Sequence, residues 1–203
     1  MIDIFGRMPL GMREYIRHII ALPHVASGAA ALSNGDNIAI GDGYMMVYIL
    51  THEMSHSLDS HALLNIAPAP FSTGSIWKDN YNQDSAVASE YARSAWPENF
   101  AETGIVGLYD KVVPGGIGNI QKNWNQIFHQ YATYQGYLGN IIIPHAKSQC
   151  TQRLDNSAVV PMGDSAKFRA REDAPDVSIG AGIRIIPAGV YENVTFVTPA
   201  HTN

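Results

Sequence analysis

Residues 44–58 constrain this chain more than any other stretch. They read Tyr-Met-Met-Val-Tyr-Ile-Leu-Thr-His-Glu-Met-Ser-His-Ser-Leu, with no proline or glycine inside. Met45, Tyr48, Ile49 and the Met54–Leu58 region form an apolar stripe at helical spacing, so a helix is predicted over 44–58. His52 and His56 lie four apart on it, which puts both imidazoles on one face about one turn (~6 Å) apart. Two ring nitrogens so placed can reach a common ion at roughly 2.0–2.1 Å. Glu53 follows the first histidine directly, where a carboxylate can hold and deprotonate a metal-bound water. The neighbours Leu50, Thr51, Met54, Ser55, Ser57 and Leu58 are uncharged, as a buried metal helix requires.

A catalytic zinc usually takes a third protein ligand. Asp59 lies three residues past His56 and His61 five past it. The extended three-histidine motif needs a glycine and a histidine where this chain has Asp59 and Ala62, so that reading fails. Asp59 reads better as a group that orients a ligand histidine. Downstream, Trp96-Pro97-Glu98-Asn99-Phe100-Ala101-Glu102 places Glu98 and Glu102 one turn apart. Two unpaired carboxylates at that spacing repel. A cation between them removes the conflict, and so does one glutamate on zinc with the other on a zinc-bound histidine. The competing reading is a solvated acidic face at a helix N-terminus, where glutamates are favoured anyway.

The remaining elements frame this pair of motifs. Met12, Ile16, Ile19 and Ile20 predict a helix over 12–22, stopped by Pro23. Asn37–Ile40 reads as a short strand, and 65–84 as loop. Asp84 or Ser85 is read as the cap of a helix through 86–91. A further helix is predicted from about Pro97 to Tyr109, and another over 119–137. Trp96, Trp124, Tyr131 and Tyr134 read as core, or else as the lining of a cleft. Alternation in 177–187 and 190–199 suggests a small β region. The expected class is α+β and zincin-like: a mainly helical catalytic portion over 1–145 with a short mixed sheet, then a loop and β-rich segment over 146–203.

The order His52-Glu53-Met54-Ser55-His56, then Tyr91, then Glu98-Asn99-Phe100-Ala101-Glu102 resembles the catalytic domain of anthrax lethal factor and its relatives, the Pro-Pro endopeptidases among them. Secreted fungal proteins described as conidiation-specific carry a domain of the same kind. The resemblance covers residues 37–110. It implies His52, His56 and Glu98 as zinc ligands, Glu53 as general base, Tyr91 as the donor to the oxyanion, and Glu102 as support for a ligand. It departs from the family at Ser55, where a glycine is usual, and in the short stretch before the motif, where a longer sheet is usual.

Composition limits the partners. The net charge is −5 and the basic residues are scattered, which is a poor footprint for nucleic acid. No apolar run has the length of a membrane span. One cysteine, Cys150, cannot form an internal disulfide. The glycine-rich texture and the sequon at Asn193 suit an extracellular chain, although no signal peptide is visible at the start. The expected activity is zinc-dependent endopeptidase cleavage of a protein or peptide substrate. The alternatives are a catalytically silent binding or structural module on the same scaffold, and a zinc hydrolase acting on a non-peptide bond.

Overall fold

A computed structural model of the chain describes residues 1–25, 28–144 and 149–156, and the backbone of a strand at 183–187. The architecture is α+β. Two short helices, α1 (Ile2–Arg7) and α2 (Leu10–Arg13), precede strands β1 (His18–Leu22), β2 (Ala29–Asn34) and β3 (Asn37–Gly41). Helices α3 (Val47–His61), α4 (Ser75–Tyr81), α5 (Trp96–Val112) and α6 (Phe128–Leu138) follow, with β4 at Ile183–Pro187. The sheet is mixed, in the order β1-β3-β2-β4. β1 runs parallel to β3, and β2 runs antiparallel to both β3 and β4.

The predicted helix over 12–22 is corrected. Only α2 is helical there, and residues 18–22 form an edge strand in register with 37–41. The β-branched Ile19 and Ile20 suit a strand better than a helix. The strand's start is pinned because the Arg17 amide donates to Asp36 O at 2.8 Å and the guanidinium reaches the Asp36 carboxylate at 2.9 Å. Strand β3 appears where expected, but it is central rather than at an edge. With β1 on one side and β2 on the other, it has no open edge to accept a further strand.

Helices α3 and α5 pack against each other, and their contact is the centre of the molecule. Every residue of α3 from Ile49 to Asp59 is buried, as are most of α5 from Pro97 to Leu108. Leu50, Met54, Leu58, Phe100, Leu108 and Tyr134 meet in one core. Burying a side chain of this size contributes about 1.5–3 kcal/mol. The hydroxyls on α3 are reconciled with burial locally: Thr51 Oγ1 donates to Val47 O and Ser55 Oγ to Thr51 O, both at 2.8 Å.

Other boundaries move for tertiary reasons. The expected loop 65–84 contains α4, whose Trp77 and Tyr81 are 0% and 1% exposed. Burying those two rings outweighs the polar local sequence. Residues 86–91 form no helix; a single 3-10 turn covers Tyr91–Arg93. Asp84 instead caps α6 from 45 residues away, accepting the backbone N–H of His129 at 3.0 Å and of Gln130 at 2.8 Å. The helix predicted over 119–137 begins only at Phe128, after shorter turns. Tyr131 and Tyr134 are core, whereas Trp124 is 38% exposed. The segment expected to be β-rich contributes β4 to the main sheet, and residues 188–203, with Asn193, lie outside the described residues. Cys150 is exposed.

Candidate metal centre

Helix α3 delivers His52 and His56 from consecutive turns, and the first turn of α5 delivers Glu98 opposite them. Pro97 near the start of α5 is pre-set for that first turn and removes no needed donor. Asn99, the next residue, fixes how α5 is rotated. Its Oδ1 accepts Trp77 Nε1–H and its Nδ2 donates to Gln130 Oε1, both at 2.9 Å. Gln130 in turn donates to Asp84 Oδ2 at 3.0 Å and to Ala86 O at 2.9 Å. This buried chain ties α4, α5 and α6 together behind Glu98.

The three candidate ligand atoms form a nearly equilateral triangle. His52 Nε2 lies 3.1 Å from His56 Nε2 and 3.1 Å from Glu98 Oε2. His56 Nε2 lies 3.3 Å from the same carboxylate oxygen. A tetrahedral ion with bonds of about 2.0–2.1 Å holds its ligand atoms roughly 3.3 Å apart. Among the described residues these three are the group whose donor atoms converge for one ion. Two neutral imidazoles and a carboxylate also match zinc chemically.

His52 is held from behind. Its Nδ1–H donates to Glu102 Oε1 at 2.6 Å, while Glu102 Oε2 accepts Ser89 Oγ–H at 2.6 Å and Ser89 Oγ accepts the Ala92 amide at 3.1 Å. Committing Nδ1 to the carboxylate leaves Nε2 to face the triangle. In the metal-free protein burial pushes the His52 imidazolium down, but hydrogen bonds to Glu102 and Glu98 outweigh it and hold its pKa at about 10. Burial pushes the Glu98 carboxyl up; hydrogen bonds from His52 and His56 outweigh that and keep it far below the usual carboxylate range.

Glu53 is the anomaly of the site. It is 0% exposed, and neither carboxylate oxygen has a hydrogen-bond partner among the described residues. Burial pushes its pKa up to about 8; the charge of His52 opposes this, while Glu98 and Glu102 add to it. A buried carboxylate with no donor is costly unless something else comes to meet it.

Tyr91 stacks over His52 with ring centroids 5.9 Å apart, and its hydroxyl is in hydrogen-bonding reach of Glu98. Burial, then the charges of Glu98 and Glu53, push its pKa well above the phenol range. Asp59 accepts the Ser72 amide and hydroxyl, each at 2.7 Å, and so fastens residues 71–73 to α3. It also lines a cavity of about 330 Å³ beside His56, with Ser33, Asn34, Ser60 and His61.

His52, Glu53, His56, Tyr91, Glu98 and Glu102 are thus brought together. Sequence reasoning missed Ser89, whose only signal is a small hydroxyl two residues before Tyr91. It also missed the close approach that seats Ser55. Ser55 Oγ lies 2.8 Å from Tyr134 Oη, and a Cβ on Gly104 of α5 would collide with it.

The comparisons with known proteins correct that resemblance. The family described as "Con-13: Conidiation-specific protein Con-13" matches residues 1–188. A curated protein, "Conidiation-specific protein 13" of Neurospora crassa, is 24% identical over 177 residues. That alignment covers 87% of this chain and 51% of the relative, so the chain spans about half the length of the protein it matches. No solved structure matches the chain. These matches are to conidiation-specific proteins and not to lethal-factor-like or Pro-Pro peptidases, and the expected classification among proteases is replaced accordingly. With nearly its whole length matched, the chain belongs to the Con-13 family of conidiation-specific proteins.

Proposed function

We propose that this chain holds a zinc ion between His52, His56 and Glu98 and hydrolyses an amide or ester bond beside it. The observation that carries the reading is Glu53, a fully buried carboxylate with both oxygens unpartnered among the described residues, next to three donor atoms spaced for one ion. The reading rests on the site and not on kinship, and a zincin-like arrangement is part of it. Zinc, when bound, supplies Lewis acidity that polarises a carbonyl and brings a water's pKa toward neutrality.

The chain's own residues do the rest. A cation held by His52, His56 and Glu98 would favour the ionised form of Glu53, which then accepts a proton from the attacking water at a free carboxylate oxygen and returns it to the leaving group. Tyr91, kept protonated by its surroundings, donates its O–H to the oxygen on which negative charge develops. Glu102 and Ser89 hold the His52 ring so that Nε2 stays available. The burial of His52, Glu53, His56 and Glu98 excludes water, which strengthens each of these interactions.

The same burial favours a second reading: a module that holds the ion and turns nothing over. His52 and Glu53 are both 0% exposed, which leaves little room for a substrate to enter. The two readings separate in one experiment. The purified full chain is loaded with zinc, its metal content is measured, and it is offered panels of quenched peptides and aryl esters. Turnover that disappears in Glu53→Gln while zinc stays bound supports the hydrolase. One zinc per chain with no turnover on either panel leaves the holding module, and no zinc at all defeats both.

A further inference from the structure

The end of β2 is where an extended backbone meets the metal centre. The hairpin residue Gly35 accepts Ser57 Oγ–H at 2.9 Å, which fastens this end of the strand to the helix carrying both histidines. Ser33 and Asn34 then line the cavity beside His56. β3 covers one edge of β2, so a single row of β2 peptide groups faces outward.

That row is taken by β4. Its register places Ile185 opposite Leu32, Arg184 opposite Ser33 and Ile183 opposite Asn34. The two β2 residues that line the cavity are therefore the two that β4 covers at its start. β4 also lies against α3. At the far end Pro187 stands opposite Ala29, where the ladder is irregular and a proline offers no N–H to extend it. A backbone ladder is indifferent to side chains, so any extended peptide can compete for such an edge.

We infer that the outer edge of β2 is a strand-acceptor site for an extended peptide beside the metal centre, and that the chain's own segment Ile183–Pro187 occupies it. A peptide crossing the site from β2 must first displace that segment. The consequence for turnover rests on the hydrolase reading; the pairing itself does not.

The test uses the full chain with Cys150→Ser. Cysteine pairs are introduced at Ser33 with Arg184, and separately at Asn34 with Ile183. One of two neighbouring antiparallel pairs is non-hydrogen-bonded, with Cα atoms about 4.5 Å apart, within the roughly 4.4–6.8 Å span of a disulfide. One pair should oxidise fully. The oxidised form should bind a labelled peptide of sequence 183–187 at least about tenfold more weakly than the reduced form, and thiol reductant should reverse this. As a second arm, Ile185→Pro and Ile186→Pro each remove a β4 N–H, and one of them faces β2. That variant should lose amide exchange protection at Ala31–Asn34 by about tenfold or more and bind the added peptide better.

If neither cysteine pair oxidises, or both proline variants exchange like the parent, β4 does not occupy the edge. If exchange and peptide binding behave as stated but no form hydrolyses a peptide or an ester, the edge assignment stands and the hydrolase reading falls. Equal hydrolysis by locked and open forms would leave the hydrolase and overturn the displacement step.

Discussion

Two buried carboxylates in this molecule are treated in opposite ways. Asp84, with a side chain 1% exposed, accepts hydrogen bonds from the His129 and Gln130 amides, the His129 ring and the Gln130 side chain. Glu53, equally buried, accepts none among the described residues. The first is saturated by the fold and holds α6 to the segment before Tyr91. The second has no hydrogen-bond partner among the described residues. A fully paired buried carboxylate stabilises, whereas an unpaired one costs stability and is kept where chemistry needs it.

Substitutions can break this contrast. The largest effect should come from Glu53→Gln. If Glu53 is the general base, hydrolysis should fall about a thousandfold while metal analysis still finds zinc at the parent level. A variant that keeps full turnover would remove Glu53 from the chemistry. Asp84→Ala should do the reverse. Losing a cap and a buried hub should cost about 3 kcal/mol in denaturant melts, with zinc per folded chain unchanged. Should Asp84→Ala instead release zinc without destabilising the fold, the division between the two carboxylates collapses.

Smaller effects sharpen the picture. Glu102→Leu should weaken zinc binding about 10–100-fold in a competition titration, because His52 loses the acceptor that fixes its ring. Ser89→Ala, one step further back, should weaken it less. The last prediction concerns pH in metal-stripped protein. Burial raises the Glu53 pKa from 4.5 to about 8, so the folded state keeps a proton that the unfolded chain has released. Its contribution is most favourable below about 4.5 and is lost as pH rises through about 8. Thermal melts should therefore show the parent losing stability relative to Glu53→Gln across that window. Parallel melting curves would mean that Glu53 is already ionised at low pH.

Most of the site was legible because helices convert spacing into geometry. His52 and His56 at four apart, and Glu98 and Glu102 at four apart, each fix a face, and the structure turns those faces together. The segment joining them was not legible. Residues 84–95 obey no period, and their backbone is held by partners such as Gln126 and by Asp84's cap on α6, which are set only by the tertiary fold. The same limit explains the error at 18–22. Ile19 and Ile20 fit a helical stripe and a strand alike, and only the pairing with β3 decides between them. The motif also resembled a protease family, whereas the whole-chain match is to Con-13. A few positions on two helices fix where the candidate site lies, and the match along the chain reports descent.

The close approach at Gly104 has a consequence for the candidate metal centre. α5 carries Glu98 and Glu102, α3 carries the histidines, and Gly104 against Ser55 sets how near the two helices lie. The separation of the helices is therefore the calibre of the site. Bonds of about 2.0–2.1 Å suit zinc. If an ion is held there as proposed, a methyl group at position 104 would act on it without touching it, by parting Glu98 from the two histidines beyond the span of one small ion.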